Sequence, residues 1–174
     1  MAVPSPEGLC VPATYAQVCR GVCAALCAAH PERATEYEAR MTEIQARMAA
    51  LLIDVRSTVQ RAGLAGARVL ASAHQAQFCQ TLGLEVVGTF TGREAAGFKE
   101  RERCIQVGTD ADVRFVVANL QEGVQFANPV ARQLGAEVVV FSNFPSMEGG
   151  ETTFDALVRR NVAALLEAAK GAGG

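Results

Sequence analysis

From Pro31 to Ala62 the apolar side chains Ala34, Tyr37, Met41, Ile44, Met48, Leu51, Leu52, Val55 and Val59 recur at steps that alternate three and four. That spacing lines them along one stripe of an α-helix and makes a continuous seam. At about 1.5 Å of rise per residue, a helix over the whole stretch runs to about 48 Å, more than twice the average globular helix. An element of this length acts as a spine for the rest of the chain, and Gly63 and Gly66 close it. A shorter stripe precedes it within Ala13 to Ala29, carried by Tyr15, Val18, Val22, Leu26 and Ala29. His30-Pro31 breaks the two apart, and Pro31 suits the first residue of the following helix. His30, beside charged residues, reads as a solvated helix end.

Beyond Gly66 the period changes. Strands are expected at Arg68–Ala73, Leu84–Gly88, Val113–Ala118 and Ala136–Phe141. Helices are expected at His74–Leu82, near Gly97–Val107, at Val124–Leu134 and at Thr153–Ala169. RFVVA and EVVVF are apolar at consecutive positions, the pattern of a parallel sheet covered on both faces. The fold class is α/β: a long backbone helix followed by a parallel four-stranded sheet covered by helices. The corresponding divisions are an N-terminal extension over 1–12, backbone helices over 13–66, an α/β lobe over 67–170 and a flexible tail over 171–174.

The composition excludes several roles. With 174 residues, half of them apolar, the chain can bury a core. A net charge of -2 and the absence of Trp give no case for nucleic acid or a charged membrane surface. No uncharged apolar run reaches the roughly 18 residues that a membrane span needs. MAVPSPEGLC has neither the basic start nor the apolar stretch of a secretion signal, so the sequence by itself reads as cytoplasmic. Six cysteines are present without CxxC pairs or zinc-site spacing. Cys19, Cys23 and Cys27 fall at i, i+4 and i+8 of the first helix, where they read as small packing residues.

Parallel α/β sheets bind ligands beyond the carboxyl ends of their strands. The residues standing there are His74 after VLASA, Thr89-Phe90-Thr91 after LEVVG, Asn119 after RFVVA and Ser142-Asn143 after EVVVF. Among them only His74 has a strongly metal-capable side chain. Three roles fit an imidazole at that junction: packing, a helix cap, or one arm of a ligand site. Ser72, Asn119 and Ser142 also suit helix N-caps. Glu122 in NLQEG reads as a solvated loop carboxylate. There is no GxSxG, GxGxxG or phosphate loop, and no carboxylate pair in an apolar setting, so no catalytic constellation emerges.

Three stretches resemble one family, the substrate-binding receptors of zinc and manganese ABC transporters. PATYAQVCRGVCAALCAAHPERATEYEARMTEIQARMAALL is similar to their backbone region. ASAHQAQFCQTLGLEVVG resembles the segment in which a His opens a helix and a Gly-Leu pair leads into a strand. RFVVANLQEGVQFANPVARQLGAEVVVFSNFP resembles the units that close the second lobe, and TTFDALVRRNVAALLEAA fits the last helix. The likeness runs from about Leu9 to Ala169.

It implies one lobe of a two-lobed periplasmic receptor: the backbone helix and the carboxyl-terminal lobe, with an amino-terminal lobe and a secretion signal not represented. The expected cargo is a zinc or manganese ion, and the expected partners are the missing lobe and an ABC permease, with an extracytoplasmic location and no turnover. Self-association of the isolated lobe through an uncovered helix face is a further expectation. Position by position, His74 matches the second-lobe histidine ligand, Asn119 stands where the family has a Glu, and Ser142 where it has an Asp. Hence the expected ligand-binding residues are His74, Asn119 and Ser142, with His74 the metal donor.

The two departures leave a degenerate set, because amides and hydroxyls are poor zinc donors. Cys10 and Cys79 are conceivable thiolate substitutes, although Cys79 points away from His74. Two alternatives stay open. One is a receptor of the same fold for a non-metal or chelated-metal ligand, and the other is a cytosolic interaction module.

Overall fold

The computed structural model describes residues 8, 10–91, 97–146 and 152–171. Of the extension and tail expected from the sequence, residues 1–7, 9 and 172–174 lie outside that range. Helix α1 spans Pro12–Ala29, with Pro12 in its first turn, where a missing N–H costs nothing. A single 3₁₀ turn, Pro31–Arg33, then redirects the chain into α2, Ala34–Arg61. The spine is therefore shorter than expected by this turn, because Pro31 starts a 3₁₀ segment and not the α-helix itself.

The seam of α2 is buried unevenly. Met48, Leu51, Val55 and Val59 are fully covered, whereas Tyr37 and Ile44 are only half-buried. The difference follows from what each half touches. The carboxyl half packs on the α/β lobe, and the amino half packs on α1.

Four strands follow: β1 Arg68–Ser72, β2 Glu85–Phe90, β3 Phe115–Asn119 and β4 Glu137–Phe141. All neighbours are parallel, in the order β2-β1-β3-β4. The connecting helices are α3 Ala76–Leu82, α4 Phe98–Ala111 and α5 Ala127–Leu134, and α6 Phe154–Gly171 ends the lobe. The consecutive apolar runs divide by parity, as strands must. Val69, Ala71, Phe115, Val117, Val139 and Phe141 face α2, α3 and α6. Leu70, Val116 and Ala118 face α4 and α5. Phe78 meets Phe141 edge-on at 5.3 Å in the first layer, and Phe90 stacks on Phe126 at 4.8 Å in the second.

Two glycines matter to this packing. Gly83 ends α3 at φ 89, a left-handed position that L-residues with a Cβ resist. Gly108 lets α4 lie against α5, since a Cβ there would come within 2.5 Å of Leu134. Ion pairs fasten the spine to the last helix, Arg159 with Asp54 and Arg47 with Asp155.

The strand order fixes where a ligand can enter. From β1 the chain crosses through α3 to β2 on one side. From β3 it crosses through α5 to β4 on the other. Connections that depart in opposite directions from adjacent strands leave a crevice at the carboxyl ends of those strands. Here that crevice lies between β1 and β3.

Candidate functional site

The loops that follow β1 and β3 carry the polar residues flanking the crevice. After Ser72 the chain makes a turn closed by Gln75 N–H donating to Ser72 O at 2.8 Å. His74 sits inside this turn and does not open α3, which begins at Ala76. The expected helix start is thus displaced by two residues, because the turn takes up Ala73, His74 and Gln75. The displacement leaves the imidazole projecting, with its side chain 63% exposed.

After Asn119 a second turn forms, in which the N–H groups of Glu122 and Gly123 both donate to Asn119 O. It folds Glu122 back over the sheet edge, where only 14% of its side chain is exposed. One carboxylate oxygen accepts a 2.6 Å hydrogen bond from the Ser72 hydroxyl. The other lies 3.5 Å from His74 Nε2. Glu122 therefore replaces the solvated loop carboxylate expected from the sequence with an anchored one, and its partner comes from the neighbouring strand. The available sequence signal is Gly123, whose φ of 80 permits the tight return.

Asn119 and Ser142 stand on the same rim, each bonded within the protein. Asn119 is 3% exposed, and its Oδ1 accepts from Gln75 Nε2 at 3.3 Å. Gln75 also donates to Asn143 Oδ1 at 3.0 Å, and its own oxygen accepts from the Cys10 thiol at 3.3 Å. This fully buried amide thus joins the loops after β1, β3 and β4. The Ser142 hydroxyl donates to Phe144 O and accepts from Gln121 Nε2 and Phe144 N–H. Those three bonds use the one donor and two lone pairs a hydroxyl has. Asn161 of α6 clamps the backbone of Ser142 on both sides, at 2.9 Å each.

Cys10 and Cys79 are fully buried thiols, which corrects the idea that they supply thiolates. Burial pushes the Cys10 thiol up to about 12 and carries Cys79 higher still. Thiols sealed in the core, where burial disfavours the thiolate, are not placed to take up an ion. Among the described residues no group of three or more His, Cys, Asp or Glu side chains converges on one point.

The remaining pair has a definite geometry. Donors bonded at about 2.0–2.2 Å to one tetrahedral zinc ion lie about 3.3–3.6 Å apart. His74 Nε2 and Glu122 Oε1, at 3.5 Å, fit one edge of that figure. The Ser72 hydroxyl orients the carboxylate from behind, the kind of outer bond that fixes a ligand's direction. This lobe thus presents two suitable donors of the four a tetrahedral ion takes.

Comparison with known proteins agrees with this architecture. Residues 10–168 match the family described as zinc-uptake complex component A, periplasmic. A comparison with curated proteins finds no match. Among solved structures, the chain is similar to a Cd-bound periplasmic metal binding protein from Candidatus Liberibacter asiaticus. The TM-score is 0.78 at 14% identity, over 97% of this chain and 67% of that one. The Mn-bound form of the protein from that organism superimposes with a TM-score of 0.78 at 15% identity, over 95% and 64%. An FpvC mutant from Pseudomonas aeruginosa gives 0.67 at 16% identity, over 94% and 61%. At such identities the likeness is one of fold. The chain spans two thirds or less of the length of these relatives.

Proposed function

This chain belongs to the periplasmic zinc-uptake component A family, and from that premise we propose that it is the backbone helix and one lobe of an extracytoplasmic receptor. The receptor delivers a divalent transition metal, zinc or manganese, to an ABC permease. The ion is cargo, bound without turnover. His74 Nε2 and Glu122 Oε1 supply this lobe's share of the donors, and a second lobe supplies the rest. Asn119 and Ser142 shape the wall behind them, through Gln75 and Gln121. The observation that supports this most is the position of the pair. His74 and Glu122 come from the loops after β1 and β3, so they straddle the crevice where this topology places ligands.

Closure of two lobes around such an ion would follow from differential affinity, because only the closed state brings all donors together. Equilibrium dialysis of the two-lobed protein against zinc and manganese tests the reading. One ion per chain is expected, with affinity reduced in His74→Ala and in Glu122→Gln. Metal binding indifferent to both substitutions would refute it.

The rim also favours a second reading. Gln75, Gln121, Asn143 and Asn119 crowd it with amides, and amides suit hydrogen-bonded organic groups. The same receptor could then take a chelated metal, with His74 and Glu122 contacting the chelator. Mass spectrometry of small molecules that co-purify with the two-lobed protein separates the readings. A recurrent organic species favours the second, and bare metal favours the first.

A further inference from the structure

Far from the rim, α1 and the first half of α2 enclose an apolar groove of about 230 Å³, lined among others by Val18, Val22, Leu26, Tyr37, Met41 and Ile44. Cys19 and Cys23 also line it. One helical turn beyond Cys23, the Cys27 sulfur lies 4.0 Å from the Cys23 sulfur. Both side chains are half-buried, unlike Cys10, Cys79 and Cys104 in the core. The sequence pattern alone makes this a packing stripe, yet the two sulfurs face each other.

We propose that Cys23 and Cys27 form a dithiol site for a soft, thiophilic cation of the Cu(I) class. Two observations converge on it. With metal–thiolate bonds of about 2.3 Å, a sulfur separation of 4.0 Å corresponds to an S–M–S angle of about 120°. That is the angle of a three-coordinate ion, with one position open to a ligand from outside the pair. The groove that Cys23 lines is apolar, which disfavours a hard, hydrated cation and suits a polarisable one bound by sulfur; the Cys27 sulfur beside it faces Ala34 O at 3.9 Å.

Binding releases two protons: Cys23–SH and Cys27–SH each lose one to solvent, and two sulfur–metal bonds form without any change of oxidation state. Affinity accordingly rises with pH. A hard divalent ion at the rim and a soft monovalent one here would be separated by ligand chemistry, and the two sites share no residue.

The test is anaerobic titration of the 174-residue chain with Cu(I) in competition with a bicinchoninate chelator, followed by thiolate-to-copper charge-transfer absorbance. One Cu(I) per chain is expected. Cys23→Ser and Cys27→Ser should each weaken binding by at least the roughly tenfold that even an outer-shell change costs. His74→Ala should leave it unchanged. Maleimide labelling read by mass spectrometry gives a measurement on the unaltered chain, in which copper should protect Cys23 and Cys27. Retention of copper by the Cys23→Ser/Cys27→Ser double variant would overturn the proposal. So would the chelator removing all copper from the wild type, or unprotected labelling of both sulfurs in its presence.

Discussion

The rim of the sheet and the α1/α2 hairpin are built on opposite terms. At the rim, polar side chains from three loops bond one another across the strand ends, over a floor of Phe141 and Phe78 that is fully buried. In the hairpin, apolar side chains line an open groove, and Val22 and Leu26 remain 43% and 38% exposed. The rim is held in shape by the protein's own hydrogen bonds, so the proposed ligand would meet preset donors. The outer part of the hairpin holds its shape by one helix-on-helix contact, beyond the point where Tyr15 stacks on Phe154 and Ala16 joins the lobe's core. Function at the rim should therefore be sensitive to residues that never touch the ligand. Changes along the outer hairpin should be tolerated by the fold.

The sharpest way to break this contrast is Gln75→Ala. It removes the amide that joins Cys10, Asn119 and Asn143, and takes a partner from two buried groups and one half-buried one. A loss of about 3 kcal/mol is expected in urea unfolding, with the three loops loosened together in hydrogen exchange. A change near zero would mean that the loops hold without their central joint. Next comes Ser72→Ala, which takes the 2.6 Å bond from Glu122. About 1.5 kcal/mol of stability should go, and metal affinity should fall about tenfold because the carboxylate is no longer aimed.

The buried thiols beneath the rim give a third test, through pH. Cys10 ionises near 12 in the folded protein against an ordinary 9.0. Its contribution is intact below pH 9 and is lost as pH rises toward 12, because the unfolded chain gives up that proton first. Stability should fall by about 1.4 kcal/mol per pH unit above about pH 9 for each such thiol. Cys10→Ala should reduce the slope of the urea midpoint against pH. The smallest effect belongs to the hairpin, where Val22→Ser and Leu26→Ser should each stay within about 0.5 kcal/mol. A larger loss in either would show that this face is covered after all.

Much of the architecture is legible in the sequence. The three-four seam foretells the spine, and the unbroken runs RFVVA and EVVVF foretell a sheet covered on both faces, since periodicity reports burial directly. Rim positions follow from strand ends. What escapes is everything set by turns. Apolar spacing puts His74 at a helix start because it cannot distinguish a three-residue turn from a first helical turn. Glu122 reads as solvated because its burial depends on a return at Gly123 and on a hydroxyl one strand away. Gln75 gives no signal at all, as a buried amide is indistinguishable in sequence from a surface one. The distance between Cys23 and Cys27 likewise depends on side-chain rotamers that spacing does not fix.

A double-mutant cycle on zinc affinity reaches the central claim most directly, using His74→Ala, Glu122→Gln and their combination in the two-lobed protein. If both side chains hold the same ion, the double variant should bind scarcely worse than the weaker single one, with a coupling well above the roughly 0.5 kcal/mol scatter of independent sites. Losses that simply add, or an affinity untouched by either change, would contradict a shared ion between β1 and β3.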